Sequence, residues 1–327
     1  MTSNVKNQQQ NDSTNEKINN ITNIAAQILR EVLQSNNITY IELIDVRIGL
    51  EGIEILGKIL EHNKLITAIR LCDNDIDLEG LSLLIKLLEN NHSLINIDIE
   101  YNNIGVQGLI ILDEFLENDK TIKQISLRGN DIGDEGADIL AGVLTNNEII
   151  KQVDIGSNNI TDKGAIILAR LLKNNNTIKK ISLNNNDIGD VGIVQLVKAL
   201  ETNRTISQIN LSYNNITDKG AIILARLLKN NNTIKKISLN NNDIGDVGIV
   251  QLVKALETNR TISQINLSYN NITDNGAITL VGLLESNNKI TSKIIIDFTD
   301  FENANISYQV QELLIETLES HNKKLEV

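Results

Sequence analysis

An apolar residue returns every 28 positions, from Ile38 through Ile66, Leu94, Ile122, Ile150, Ile178, Ile206 and Ile234 to Ile262. This constrains the fold more than any other feature, because self-similarity at a fixed period of about 20–50 residues marks stacked supersecondary units. Nine units cover 38–289 without insertion or deletion. Inside a unit the period switches. Ile181 and Leu183 alternate with polar residues, as in a half-buried strand. Val194, Leu196, Val197, Ala199 and Leu200 then recur at helical spacing. Each unit is therefore a strand followed by a helix, and neither buries its apolar face alone. Segments 158–218 and 214–274 are identical, so a two-unit block is present twice.

Stacking the units buries those faces and sets a shape. Strands pack ~4.8 Å apart, whereas helices need ~8–10 Å. A strand layer tied to a wider helix layer must curve. The predicted fold is an α/β solenoid, a horseshoe with a parallel β-sheet on the concave face and α-helices on the convex face. The ends read as caps. Residues 1–16 are a disordered polar tail, and 17–37 form an N-terminal capping helix with Ile21, Ile24, Ile28 and Leu29 on one face. Residues 290–327 form a degenerate C-terminal repeat. In it, 293–298 read as a last strand and 308–318 as a helix with Val310, Leu313, Leu314 and Leu318 inward.

Read from Ile178, the unit runs Ile178-x-x-Ile181-x-Leu183-x-x-Asn186-x-Ile188. That string matches the leucine-rich repeat signature, and the 28-residue helical unit resembles the ribonuclease-inhibitor-like subfamily, also found in the sensing domains of NOD-like receptors. The resemblance implies a protein–protein interaction scaffold that takes its partner on the concave face; with no nucleophile–base pair in the sequence, no intrinsic enzyme is expected. Ran-type GTPase activators are similar in repeat type and size, so regulation of an enzyme, by activation or inhibition, is the alternative. A bacterial or parasite effector delivered into a host cell is a third reading.

The polar columns have structural roles in this scheme. Asn74, Asn102, Asn130, Asn158, Asn186, Asn214, Asn242 and Asn270 occupy the ninth place of successive units, with Val46 in the first. An Asn there can satisfy backbone groups that lose their ladder partners as the chain turns. A second Asn column, 63, 91, 147, 175, 203, 231, 259 and 287 with Asp119 in the series, falls at helix ends, where Asn tolerates left-handed backbone. Asp134, Asp162, Asp190, Asp218, Asp246 and Asp274 stand where each would N-cap its own helix. The Gly two residues later spares a side chain that would crowd the strand layer.

Motif chemistry is sparse. There is no phosphate-cradling or zinc-binding spacing, so no cofactor and no metal are expected. His62, His92 and His321 fall near helix C-termini, and Cys72 reads as an outward-facing strand residue equivalent to Glu100 and Arg128. The lone cysteine fits a reducing, cytoplasmic setting. A net charge of −12 without a Lys/Arg run argues against nucleic acid, and no apolar stretch is long enough for a membrane span. The heptapeptide Asn184–Asp190, NNNDIGD, has the wrong order for a calcium loop. It reads as a repeat corner with Asn184 and Asn185 on the concave side.

Function then falls to side chains that the fold does not need. On the concave wall these are Tyr40, Glu42, Asp73, Asp98, Glu100, Tyr101, Arg128, Asp154, Tyr213 and Tyr269, the proposed contacts for a protein partner of a monomeric chain. Early units offer five acids against Arg70; later ones offer Lys123, Arg128, Lys151, Lys180 and Lys236 against Asp154. Exposed tyrosines on a rigid sheet are low-entropy anchors. If the Asn column satisfies buried backbone, Asn186→Ala should lower the melting temperature, each stranded group costing ~1–3 kcal/mol. An unchanged thermal transition sinks that assignment.

Overall fold

The computed structural model describes residues 37–286, 290–296 and 306–325. The expected polar tail and, but for Asn37, the N-terminal capping helix lie outside them. The chain divides into two compact units, 1–131 and 132–327.

In the first unit, β1 (Tyr40–Glu42), β2 (Ala68–Arg70), β3 (Asn96–Asp98) and β4 (Gln124–Ser126) pair in parallel in chain order. They alternate with helices α1 (Gly49–His62), α2 (Leu78–Leu88) and α3 (Gly105–Asn118). The second unit opens with α4 (Gly133–Thr145) and continues with β5 (Gln152–Asp154), α5 (Asp162–Asn174), β6 (Lys180–Ser182) and α6 (Asp190–Leu200). Then come β7 (Gln208–Asn210), α7 (Asp218–Asn230), β8 (Lys236–Ser238), α8 (Asp246–Leu256), β9 (Gln264–Asn266) and α9 (Asp274–Ser286), with β10 (Lys293–Ile295) and α10 (Tyr308–Lys323) last. Strands β5 to β10 are likewise parallel and in chain order.

Strands and helices arise where the period predicts them. The middle residue of each strand is buried, as are the aliphatics Leu196, Val197, Ala199 and Leu200 of α6. Full burial of one such Leu or Ile stabilises by ~1.5–3 kcal/mol. In each unit the core is therefore a column of aliphatic side chains between a sheet layer and a helix layer. The last helix runs beyond the predicted 308–318, and Leu313 departs from expectation: it is 43% exposed, while Leu314 and Leu318 are buried.

The ninth-place asparagines satisfy the turning backbone as expected, and they do so as a ladder from repeat to repeat. Asn186 Nδ2 donates to Ile155 O at 3.2 Å and Leu183 O at 3.0 Å, and its Oδ1 accepts from Asn158 N and Ile160 N at 3.0 Å. One side chain thus pairs backbone groups in two adjacent repeats. Where Val46 interrupts the series, its N–H still donates to Asn74 Oδ1 at 3.2 Å.

The second Asn column works differently from the left-handed closure predicted for it. Asn175 lies in extended backbone, φ −75° and ψ 129°. Its Oδ1 accepts from Thr177 N and Ile178 N, and its Nδ2 donates to Leu144 O at 2.8 Å in the preceding helix. The same donation runs from Asn203 to Leu172 O and from Asn259 to Leu228 O. Asp119 keeps the turn through Thr121 N and Ile122 N, but a carboxylate has no proton for the preceding helix. Beside it a cavity of about 450 Å³ opens, lined by Ile85, His92, Ile111, Phe115 and Asp119 among others.

A third ladder also departs from the sequence expectation: the aspartates at the starts of α4 to α9 cap the next helix rather than their own. Asp162 Oδ1 accepts from Gly189 N and Gly192 N, both at 2.8 Å, at the start of α6, whose N-cap Gly189 has no side chain to do so. Asp134 serves α5 through Gly164 N at 2.8 Å and takes the Thr161 hydroxyl at 2.7 Å, while Thr161 accepts from Lys163 N. Asp190, Asp218 and Asp246 repeat the pattern, and Asp274 accepts from Ser307 N at 2.6 Å ahead of α10. An anion at a helix N-terminus is favoured by both the free N–H groups and the helix dipole. A Cβ on Gly192 would sit 2.8 Å from both Asp162 Oδ1 and Ala165 Cβ and 2.9 Å from Ile188 Cγ2, so the crowding there comes from the preceding aspartate and helix and from the glycine's own corner; in the first unit a Cβ on Gly52 or Gly108 would meet Ile48 or Ile104 instead. In the first unit the matching positions are Leu50, Leu78 and Val106, and Asp77 caps its own helix through Gly80 N.

Asp162→Ala should therefore destabilise by ~1–2 kcal/mol, the worth of a charged N-cap. Asp218→Ala, in the identical copy, should match it. Chemical denaturation checks both, and a null effect at either position contradicts the inter-repeat cap.

Candidate functional site

Each strand turns its first and third residues to the face away from the helices, and the corner that follows adds a further row. In the first unit this face is organised around one cation. Arg70 Nη1 lies 3.1 Å from Glu42 Oε1, and its Nη2 lies 3.8 Å from Glu100 Oε2. Arg70 Nε is 3.0 Å from Asp98 Oδ2 but without hydrogen-bond alignment. These groups are partly exposed, so each pair contributes little individually. Tyr40 donates its hydroxyl to Glu42 Oε1 at 3.0 Å; partial burial and then Glu42 push its pKa up. Glu100 Oε1 accepts from Ser126 Oγ at 2.6 Å. Four predicted residues, Tyr40, Glu42, Asp98 and Glu100, therefore fall in one network. Asp73 is an exposed corner residue.

Tyr101 and Arg128 form a second group. Arg128 Nε donates to the Tyr101 hydroxyl at 2.7 Å, and its guanidinium stands 5.9 Å from the ring centroid. The ring occupies space that a Cβ at Gly129 would need. In the second unit, Asp154 Oδ1 accepts from Gly156 N at 2.9 Å, leaving Tyr213 and Tyr269 as the remaining predicted contacts.

The corner row has an unusual backbone. Asp45, Asp73, Tyr101, Gly129, Ser157, Asn185, Tyr213, Asn241 and Tyr269 all have φ between 52° and 67°. Asp, Asn and Gly enter this left-handed region readily, but a bulky residue there is an outlier. The three tyrosines are nonetheless 42%, 51% and 37% exposed in chain order.

Two placements differ from the sequence reading. Asn184 is buried rather than open to the face; its Oδ1 accepts from Ser182 Oγ at 2.7 Å. Cys72 is 7% exposed and follows β2 instead of pointing outward from it. Sequence reasoning missed Asn210 and Asn266, which share the third strand position with Asp98 and Asp154. The 28-residue register could have found them. Among the described residues no group of three His, Cys, Asp or Glu is placed to hold a metal ion. No helix is long and apolar enough to cross a membrane.

Comparison with known proteins bears on the repeat fold. A leucine-rich repeat profile matches residues 118–141, 146–169, 174–197, 202–225, 230–253 and 258–281. The leucine-rich repeat-containing protein LegL7 from Legionella pneumophila superposes with a TM-score of 0.54 at 13% identity, over 86% of this chain and 91% of that one. Actin-binding site 2 of leiomodin-1 gives a TM-score of 0.40 at 21% identity, over 50% of this chain and 91% of its own. The tropomodulin C-terminal domain of Caenorhabditis elegans gives 0.39 at 15%, over 50% and 95%. No curated protein matches the sequence.

The Cys72 thiol provides a direct check on the local packing. Burial pushes its pKa up, reinforced by Glu100 and Asp98. A raised thiol pKa means less thiolate than in free cysteine near pH 8. Its contribution to stability is present below the unfolded value and is lost as pH climbs through the folded one. Iodoacetamide at pH 8 should label the folded chain ~10-fold more slowly than glutathione, and urea should abolish the difference. Equal rates in the folded state contradict the buried placement.

Proposed function

The chain belongs to the leucine-rich repeat family, and from that premise we propose that the outer face of its parallel strands is a protein-binding surface anchored by Tyr101, Tyr213 and Tyr269. The family indicates an interaction scaffold in general. The 28-residue strand–helix unit supports the ribonuclease-inhibitor-like subtype, and the inward curve that such stacking implies makes this face the concave one.

One observation carries the reading. Three bulky tyrosines sit exposed in left-handed backbone where their row elsewhere holds Asp, Gly, Ser or Asn. Left-handed backbone costs an ordinary L-residue ~1–2 kcal/mol. A corner serving the fold alone is satisfied by Asn, as at Asn185 and Asn241. Strain retained at a surface position points to use of the side chain, and tyrosine supplies large contact area with little entropy to lose. The Arg70 cluster and Arg128, which holds the Tyr101 hydroxyl, fix the neighbouring charges in the first unit.

The test separates stability from binding. The double variant Tyr213→Asn with Tyr269→Asn should melt no lower than the parent, and up to ~1 kcal/mol per site of strain should be relieved. It should also lose the proteins that the parent retains in a quantitative affinity capture. Identical captured sets from parent and variant would remove the reading.

A further inference from the structure

The second unit carries a regular alternation on its strand face. The first strand residues pair in the order Lys180, Gln208, Lys236, Gln264, Lys293 across β6 to β10, so a cation stands on every second rung. None of the three lysines makes an ion pair among the described residues. On the two intervening strands the third residue is Asn210 or Asn266. Asn210 Oδ1 accepts from Ser212 N at 3.1 Å and Ser212 Oγ at 2.7 Å; Asn266 Oδ1 accepts from Ser268 N at 3.1 Å and Ser268 Oγ at 2.8 Å. A backbone N–H on the oxygen fixes the amide orientation. The two Nδ2 groups have no acceptor among the described residues and remain as donors. Successive strands thus offer ammonium, amide, ammonium, amide, ammonium. This is a donor face on a chain whose net charge is −12.

A partner that fits must present acceptors with the same repeat. Strands lie ~4.8 Å apart, so equivalent lysines recur at ~9.6 Å. A polyproline-II chain advances ~3.1 Å per residue with three residues per turn, so residues i, i+3 and i+6 share one side at ~9.3 Å intervals. Its backbone carries no internal hydrogen bonds, so its carbonyls are free for Asn210 and Asn266. An α-helix repeats a face every seven residues, ~10.5 Å, but its carbonyls are already bonded. A β-strand turns i and i+3 to opposite sides.

Resting on the proposed role of this face, we infer that it takes an extended acidic segment in the polyproline-II conformation, with a carboxylate at every third residue. The segment crosses the strands with its carboxylates on Lys180, Lys236 and Lys293. Its intervening carbonyls meet the two asparagine amides, and proline rings pack on Tyr213 and Tyr269, a recognised pairing for this conformation. Each exposed ion pair is weak alone, so selectivity comes from three forming in register.

The experiment uses the full chain and fluorescein-labelled peptides at low ionic strength, read by anisotropy. One peptide is four repeats of Glu-Pro-Ser; the other has the same composition with its glutamates contiguous. The in-period peptide should bind ~10-fold more tightly. Lys236→Gln should weaken that binding ~5-fold, the loss of one exposed pair, with an unchanged melting temperature. Equal affinity for the two peptides overturns the inference and leaves only general charge attraction. No effect of Lys236→Gln overturns it too, as does displacement by oligouridylate at lower concentration than by the peptide. If no acidic peptide binds while the tyrosine double variant still loses its captured proteins, this inference falls and the protein-binding reading stands. If both measurements are null, both fall.

Discussion

The structure depends on the pairing of backbone groups that the repeat corner would otherwise strand. Strands of three residues provide few ladder hydrogen bonds, and every repeat must leave its strand and turn toward a helix. Asn186 resolves this by accepting two N–H groups of the preceding repeat while donating to carbonyls of two repeats. Because each asparagine serves its neighbour as well as itself, the repeats are held in register by polar contacts as well as by the aliphatic column. A buried group left unpaired costs ~1–3 kcal/mol, which penalises any slip of one repeat against the next.

Two more polar ladders run parallel to that one, and they differ between the two units. The helix-end asparagines join successive helices through donations such as Asn203 to Leu172 O. The helix-start aspartates cap successive helices through contacts such as Asp162 to Gly192 N. Both ladders recur among the described residues of the second unit, whereas in the first unit Leu50, Leu78 and Val106 replace the aspartates and Asp119 interrupts the asparagines. The cavity beside Asp119 lies where the donation to the preceding helix is missing.

Much of this was legible in the sequence, and what was not has a common physical origin. The 28-residue period located strands, helices and the structural Asn column, because those depend on alternation and spacing within one repeat. The roles of Asp162 and Asn175 were misjudged because their partners lie in an adjacent repeat, roughly one period away. Local capping rules see only a residue's own helix. Cys72 was placed on the open face by strand alternation, but the chain has left the strand before reaching it, and Asn184 was grouped with its exposed corner neighbour Asn185 although it is buried. For the candidate surface, charge and aromatic content picked out Tyr40, Glu42, Asp98, Glu100 and the corner tyrosines. The asparagine donors escaped notice because, in a chain this rich in asparagine, composition alone does not distinguish a structural amide from an available one.

The aspartate ladder also has a direction. Each carboxylate of this ladder, from Asp134 to Asp274, belongs to the repeat that precedes the helix it serves, so the dependence runs from the amino to the carboxyl end. A chain emerging from the ribosome presents its amino-terminal repeats first. From α5 onward, each new helix therefore meets a carboxylate already in position, and growth is templated by what has folded. The asparagine ladders run the other way, since Asn186 pairs N–H groups of the repeat before it and Asn203 donates to the helix before it. Removing a repeat from the carboxyl side therefore strands backbone groups, while removing one from the amino side uncaps a helix. Each repeat depends on both neighbours, through different chemistry on each side.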